Sequence, residues 1–142
     1  MQRNRKYNEE NINAKACELA MYKELAQVAS ECRERANEYR EKYTDLRAVD
    51  YTMTKVQGGD GAGFVDMVIR WVDLEETAHK AEYEAEQLLW SIKDRLAKLN
   101  HTQARILEYY YIKGYSVVHI ARIMDYSEAR IRQLKYAGLQ NY

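Results

Sequence analysis

Ser116-Val117-Val118-His119-Ile120-Ala121-Arg122-Ile123-Met124-Asp125-Tyr126-Ser127-Glu128-Ala129-Arg130-Ile131-Arg132-Gln133-Leu134 is the stretch on which the fold turns. It holds two helix starts. Ser116 and Ser127 each stand just before a helical pattern, where a serine hydroxyl satisfies an orphan backbone amide of the first turn. The first pattern, Val117 to Met124, puts Ile120, Ala121 and Met124 on one side. The second, Glu128 to about Gln140, does the same with Ile131, Leu134 and Gly138. Asp125-Tyr126 is left as a tight turn. Upstream, Asn100 or Thr102 caps a further short helix through Ala104, Ile106, Leu107, Tyr110 and Tyr111, which stops at Gly114. Two short helices joined by about three residues and braced by a third predict a helix-turn-helix over residues 100–142.

The outward side of the last helix carries side chains suited to a DNA major groove. A step of about 100° per residue places Ala129, Arg132, Gln133 and Tyr136 opposite the apolar side, with Glu128 at the exposed start. Arginine pairs bidentately with guanine and glutamine with adenine. Arg130 and Lys135 on the flanks, and the helix starts at Ser116 and Ser127, are the candidates for backbone phosphate. An ordinary three-helix bundle with solvated Arg and Gln would show the same periodicity.

Composition agrees with an all-α chain. There is no proline among 142 residues, charged residues make up 31%, and Ala, Glu, Lys, Leu and Arg are abundant. Net charge is zero, but unevenly spread: residues 100–142 hold six Lys+Arg against three Asp+Glu, while residues 1–99 hold 16 against 19. The C-terminal segment is thus mildly basic and the remainder mildly acidic.

Residues 1–10 are polar and are expected to fray. From about Asn11 to Asp50, Met21, Leu25, Val28, Cys32, Ala36, Tyr39, Tyr43 and Leu46 recur near the helical period, predicting one long helix. Cys17 and Cys32 read as small core hydrophobes. The glycine-rich stretch 56–63 interrupts the pattern. It lacks the Lys-Ser/Thr of a phosphate-binding loop and the preceding strand of a dinucleotide fold, so it reads as a connection between helices. A second helix from about Phe64 to Leu99 carries Phe64, Met67/Val68, Trp71, Leu74, Ala78, Ala81, Ala85, Leu88, Ile92, Leu96 and Leu99 as a near-heptad stripe. So long a helix cannot bury its stripe alone, and the first helix is its natural antiparallel partner. Trp71, Leu74, Ala78, Ala85 and Leu88 are the residues expected to serve oligomerisation or docking, with a homodimer as the expected assembly. The expected division is a helical hairpin over 1–99 and the helix-turn-helix over 100–142.

Leu99-Asn100-His101-Thr102-Gln103-Ala104-Arg105-Ile106-Leu107, Tyr111 to Ser116, His119-Ile120-Ala121 and Tyr126 to Leu134 together resemble region 4 of bacterial sigma factors. Arg130-Ile131-Arg132-Gln133-Leu134 resembles the helix that recognises the −35 promoter element. The resemblance aligns Arg132 and Gln133 with base-contacting positions, and Glu128 and Ala129 with their neighbours. Ala129 stands where many sigma factors carry glutamate, and Glu128 where they carry a basic residue. The layout also resembles phage-encoded regulators of the ArpU and RinA type, with Val72-Asp73-Leu74-Glu75-Glu76 as a further point of likeness. Those resemblances imply duplex DNA as partner, a role in activating late phage genes, contact with host RNA polymerase and a place in the bacterial cytoplasm. The sigma-factor regions that melt promoter DNA have no counterpart here.

No catalytic arrangement stands out. His79, His101 and His119 have no acidic or cysteine partner at ligand spacing, and Glu75-Glu76 lies on a charged helix face. The expectation is a protein that is not an enzyme, with no metal and no cofactor, and with no signal peptide or membrane-spanning run. Two further readings fit the same pattern. A small terminase subunit also joins a helix-turn-helix to helical oligomerisation segments, for DNA packaging. A protein-interaction module would use the sigma-like domain on polymerase without touching DNA.

Overall fold

The computed structural model describes residues 2–52 and 61–142, all helix and short connections, with no strand among them. Helix α1 spans Gln2–Thr52 and α2 spans Gly61–Leu96. Helix α3 is His101–Leu107 and continues into a π-helical segment, Glu108–Ile112. Helices α4, Val117–Met124, and α5, Glu128–Asn141, follow. The all-α class expected from the sequence is the observed one. Helix α1 runs through the polar segment expected to fray, and α2 begins at Gly61, ahead of Phe64. Helix α2 ends at Leu96, where Lys98 and Leu99 donate tight-turn bonds to the Arg95 and Leu96 carbonyls. Residues 56–60 of the expected glycine-rich connection lie outside the described residues.

The chain divides into two compact units, Leu25–Glu84 and a second made of Met1–Glu24 with Ala85–Tyr142. The boundary expected at 99/100 is not where the packing divides. The second unit takes in both ends of the expected hairpin, because one apolar cluster unites Ile12 and Leu19 of α1, Ile92 and Leu96 of α2, Leu107 of α3, and Leu139 and Tyr142. Polar contacts reinforce it. Arg95 donates to both carboxylate oxygens of Glu18 at 2.7 and 2.9 Å, and its guanidinium lies 4.0 Å over the Tyr142 ring. Lys15 donates to the Gln140 carbonyl at 3.0 Å.

Within Leu25–Glu84 the two helices meet along small residues. Ala29, Ala36, Ala78 and Ala81 are buried, so the backbones are free to approach closely. Arg33 is the largest polar group in this seam. It forms a two-bond fork with Glu82, each bond 2.9 Å, and a third bond of 2.6 Å to Glu75. The hydrogen-bonded guanidinium holds the Glu82 carboxyl below its ordinary range. Further along, the Tyr43 ring stacks on Trp71 at 6.1 Å and tilts against Phe64 at 5.2 Å.

Several expected core positions need correction. Met21 and Val28 are exposed, and Cys17 is exposed while Cys32 is half-buried. The buried residues of α1 are Ile12, Leu19, Ala29 and Ala36, the last of them an expected position, and the expected Leu25, Tyr39 and Tyr43 are half-buried. Ile12 and Leu19, and Ala29 and Ala36, are each separated by seven residues, two turns of helix. The residues assigned to a partner chain also need revision. Ala78 and Ala85 are buried within the single chain, and Trp71, Leu74 and Leu88 are half-buried. Trp71 packs on Tyr43, and Leu88 packs against the cluster of Leu19 and Ile92.

Candidate nucleic-acid interface

The site is built from α4, the turn after it and α5, and its geometry begins at the two caps. The Ser116 hydroxyl accepts from the His119 amide and the Ser127 hydroxyl from the Arg130 amide, each at 3.2 Å. Each hydroxyl accepts through one lone pair and keeps its own O–H, so a phosphate at either helix start would meet a serine donor together with the remaining free amides and the dipole. Asp125 ends α4 in the left-handed region at φ 56°, a conformation that Asp tolerates better than most residues. The Tyr126 amide then returns to the Ala121 carbonyl at 3.0 Å, closing the turn. Ser127→Ala is expected to lower domain stability by about 1 kcal/mol, the usual cost of losing such a cap. A thermal or urea melt showing no change would contradict this role.

Beneath the turn sits a second apolar cluster. Ile106 of α3, Ile120 and Ala121 of α4 and Ile131 of α5 are buried together, with Tyr109, Tyr110, Tyr115, Val117, Met124 and Leu134 packed around them. The expected inward residues of both helices are thus inward. Gly138 has a specific reason. A Cβ there would lie 3.2 Å from Leu107 Cδ1 and 3.4 Å from Gln103 Cβ, so glycine lets α5 close on α3.

The outward face of α5 is open. Glu128, Ala129, Arg130, Arg132, Gln133 and Tyr136 are all exposed. Arg132 and Glu128 share one bond of 3.4 Å across a helical turn, a solvated contact that costs little to break. Lys135 is placed differently from its neighbours. It is half-buried, and its ammonium sits 3.9 Å from the centre of the Tyr110 ring. An ammonium over an aromatic face is held by the ring quadrupole, so Lys135 has a defined position rather than a free flank.

That tyrosine belongs to a cluster whose role the sequence did not reveal. The π-helical segment inserts one residue into the turn, shown by the Lys113 amide bonding the Glu108 carbonyl at 3.0 Å. It splits the tyrosine run between two clusters: Tyr109 and Tyr110 join the one beneath the turn, while Tyr111 and Ile112 join the one with Leu19 and Leu107. Burial pushes the Tyr111 phenol up. Gly114, at φ 71°, then reverses the chain where a side chain would be strained. Arg105 donates to the Tyr109 hydroxyl at 2.8 Å, and Lys113 lies 4.9 Å over the same ring. Tyr109 and Tyr110 therefore hold three cations beside the helix-turn-helix. The spacing of four residues from Arg105 to Tyr109 and from Tyr109 to Lys113 was the signal available in the sequence.

Among the described residues no group of three or more His, Cys, Asp or Glu could hold a metal ion, and no helix is long and apolar enough to cross a membrane. The family model of sigma-70, region 4 matches residues 95–141. No curated protein and no solved structure matched the chain. The match begins at Arg95, within the part of α2 that packs with the C-terminal helices. Residues 95–141 thus form a sigma region 4-like domain, a helix-turn-helix of the DNA-binding class used in transcription regulation.

Proposed function

We propose that the chain binds double-stranded DNA sequence-specifically through the outward face of α5 and activates late genes of a phage. The observation that carries the DNA reading is the division of α5. Ile131 and Gly138 lock one face into the protein while Arg132 and Gln133 are exposed away from it. Arg132 pairs with a guanine edge, Gln133 with an adenine edge, and Glu128, Ala129 and Tyr136 shape the neighbouring contacts. Arg130, Lys135 and the free amides at the starts of α4 and α5 hold phosphates. The likeness to ArpU- and RinA-type regulators supports the phage role, and the sigma-like domain supports contact with host RNA polymerase. With Glu128 and Ala129 in place of the residues many sigma factors carry, the preferred site differs from the −35 element.

Selection of bound sites from a random duplex pool tests the reading, followed by transcription in vitro from a promoter bearing the selected site. An enriched sequence and a raised transcript yield are expected. A pool that enriches nothing overturns the specific-binding reading. Lys135→Ala is expected to weaken all duplexes alike and to flatten the salt dependence by about one unit, as for one lost phosphate contact. Mobility shifts across a salt series measure that slope. An unchanged slope would remove Lys135 from the phosphate contacts.

A further inference from the structure

Three cations beside the helix-turn-helix are held by aromatic rings and not by carboxylates. Arg105 donates to the Tyr109 hydroxyl at 2.8 Å, Lys113 lies 4.9 Å from the centre of the same ring, and Lys135 lies 3.9 Å from that of Tyr110. Arg33 and Arg95 are held differently, by carboxylates that cancel their charge: Glu75 and Glu82 for the first, Glu18 for the second. Among the described residues no ion pair involves Arg105, Lys113 or Lys135, and the neighbouring Glu108 forms none with them. A ring quadrupole orders a cation without neutralising it. Tyr109 and Tyr110 thus gather positive charge and leave it uncompensated.

Helix α5 says which way this charge looks. Three steps of about 100° fall about 60° short of a full turn, so Lys135 stands that far round the helix from Arg132. It occupies the flank of the reading face on which α5 meets α3. A helix lying in a major groove has a phosphate row along each flank. Tyr110 carries this flank on to Tyr109, and Tyr109 carries it to Arg105 and Lys113, both exposed. One DNA strand presents a negative charge about every 3.4 Å of axis, so neighbouring phosphates match cations gathered on two adjacent rings. The Tyr109 hydroxyl accepts from Arg105 and keeps its own O–H for a phosphate oxygen. We infer that Arg105 and Lys113, gathered on Tyr109, form a second anchor for the duplex backbone, binding phosphates of one strand beyond the one that Lys135 meets. The inference rests on duplex binding through α5, but not on which bases α5 reads, since phosphate contacts carry no sequence.

Mobility-shift titrations of the full chain over a salt series test this, on the selected site and on a random duplex. Arg105→Ala and Lys113→Ala are each expected to flatten the plot of log K against log salt by about 0.9, and the two together by about 1.8. Both duplexes should weaken by the same factor. Arg105→Lys is expected to keep the wild-type slope, because it keeps the charge. Thermal melts should coincide with that of the unaltered chain, since both side chains are exposed. Unchanged slopes in a chain that still binds duplex overturn this inference alone. Unchanged slopes with a lowered transcript yield would assign the cations to an acidic surface of the polymerase instead. A loss confined to the selected site would make them base contacts and overturn the anchor. A chain that binds no duplex at low salt overturns the inference together with the DNA reading.

Discussion

Replacing Ile131 by alanine is expected to destabilise the helix-turn-helix by about 2–5 kcal/mol, the range for truncating a fully buried aliphatic side chain. Ile131 has no exposed surface and packs in one cluster with Ile106, Ile120 and Ala121, so its removal leaves a cavity shared by α3, α4 and α5. Neighbours have little freedom to collapse into it. Ile106 and Ile120 are themselves fully buried, and Gly138 already brings α5 against Leu107 and Gln103. A small domain is stable by roughly 5–15 kcal/mol in total, so the loss is a large share of it. Urea denaturation should show a lower midpoint with an unchanged slope. A loss under about 1 kcal/mol would mean that the α4–α5 packing is looser than the buried cluster implies.

The adjacent residue should behave in the opposite way. Arg132→Ala is expected to leave the melt nearly unchanged, because its side chain is 62% exposed and its one bond, to Glu128, is long and solvated. Its effect should fall on DNA: about 1–3 kcal/mol on the selected site, roughly ten- to a hundredfold in Kd, with relaxed preference at one base pair. Non-specific duplex should lose less, since a base contact carries what a phosphate contact does not. Arg132→Lys should fail to restore the preference, because an ammonium cannot make the planar two-bond match to guanine. Mobility-shift titrations on the selected site and on its single-base variants measure all of this. Unaltered specific binding by Arg132→Ala would mean that α5 does not enter the groove by this face.

The C-terminal domain was readable because its signals are local. Ser116 and Ser127 are both helix caps, Gly114 is a stop, and the apolar positions of α4 and α5 repeat over short spans. Over spans that short, a small error in period cannot accumulate. Helix α1 shows the converse. Met21 and Val28, seven residues apart, fit the helical pattern of the sequence yet are exposed, while Ala36 of the same pattern is buried. The seam of α1 also consists of Ala29, Arg33 and Ala36, residues with little or no hydrophobic signal. The π-helical insertion and the capture of Lys135 by Tyr110 depend on tertiary placement of a run of three tyrosines, which spacing alone does not determine. The union of Ile12 and Leu19 with Leu107, Leu139 and Tyr142 joins residues from opposite ends of the chain, beyond the reach of any local pattern.

That union governs how the protein can be dissected. A fragment cut at residue 100, as domain boundaries drawn from sequence would suggest, strips Leu107 and Leu139 of the α1 and α2 side chains that cover them. Such a piece would present a greasy underside to water and would tend to self-associate or melt. A minimal DNA-binding unit has to be stitched from both extremities, residues 1–24 joined by a short linker to residues 85–142.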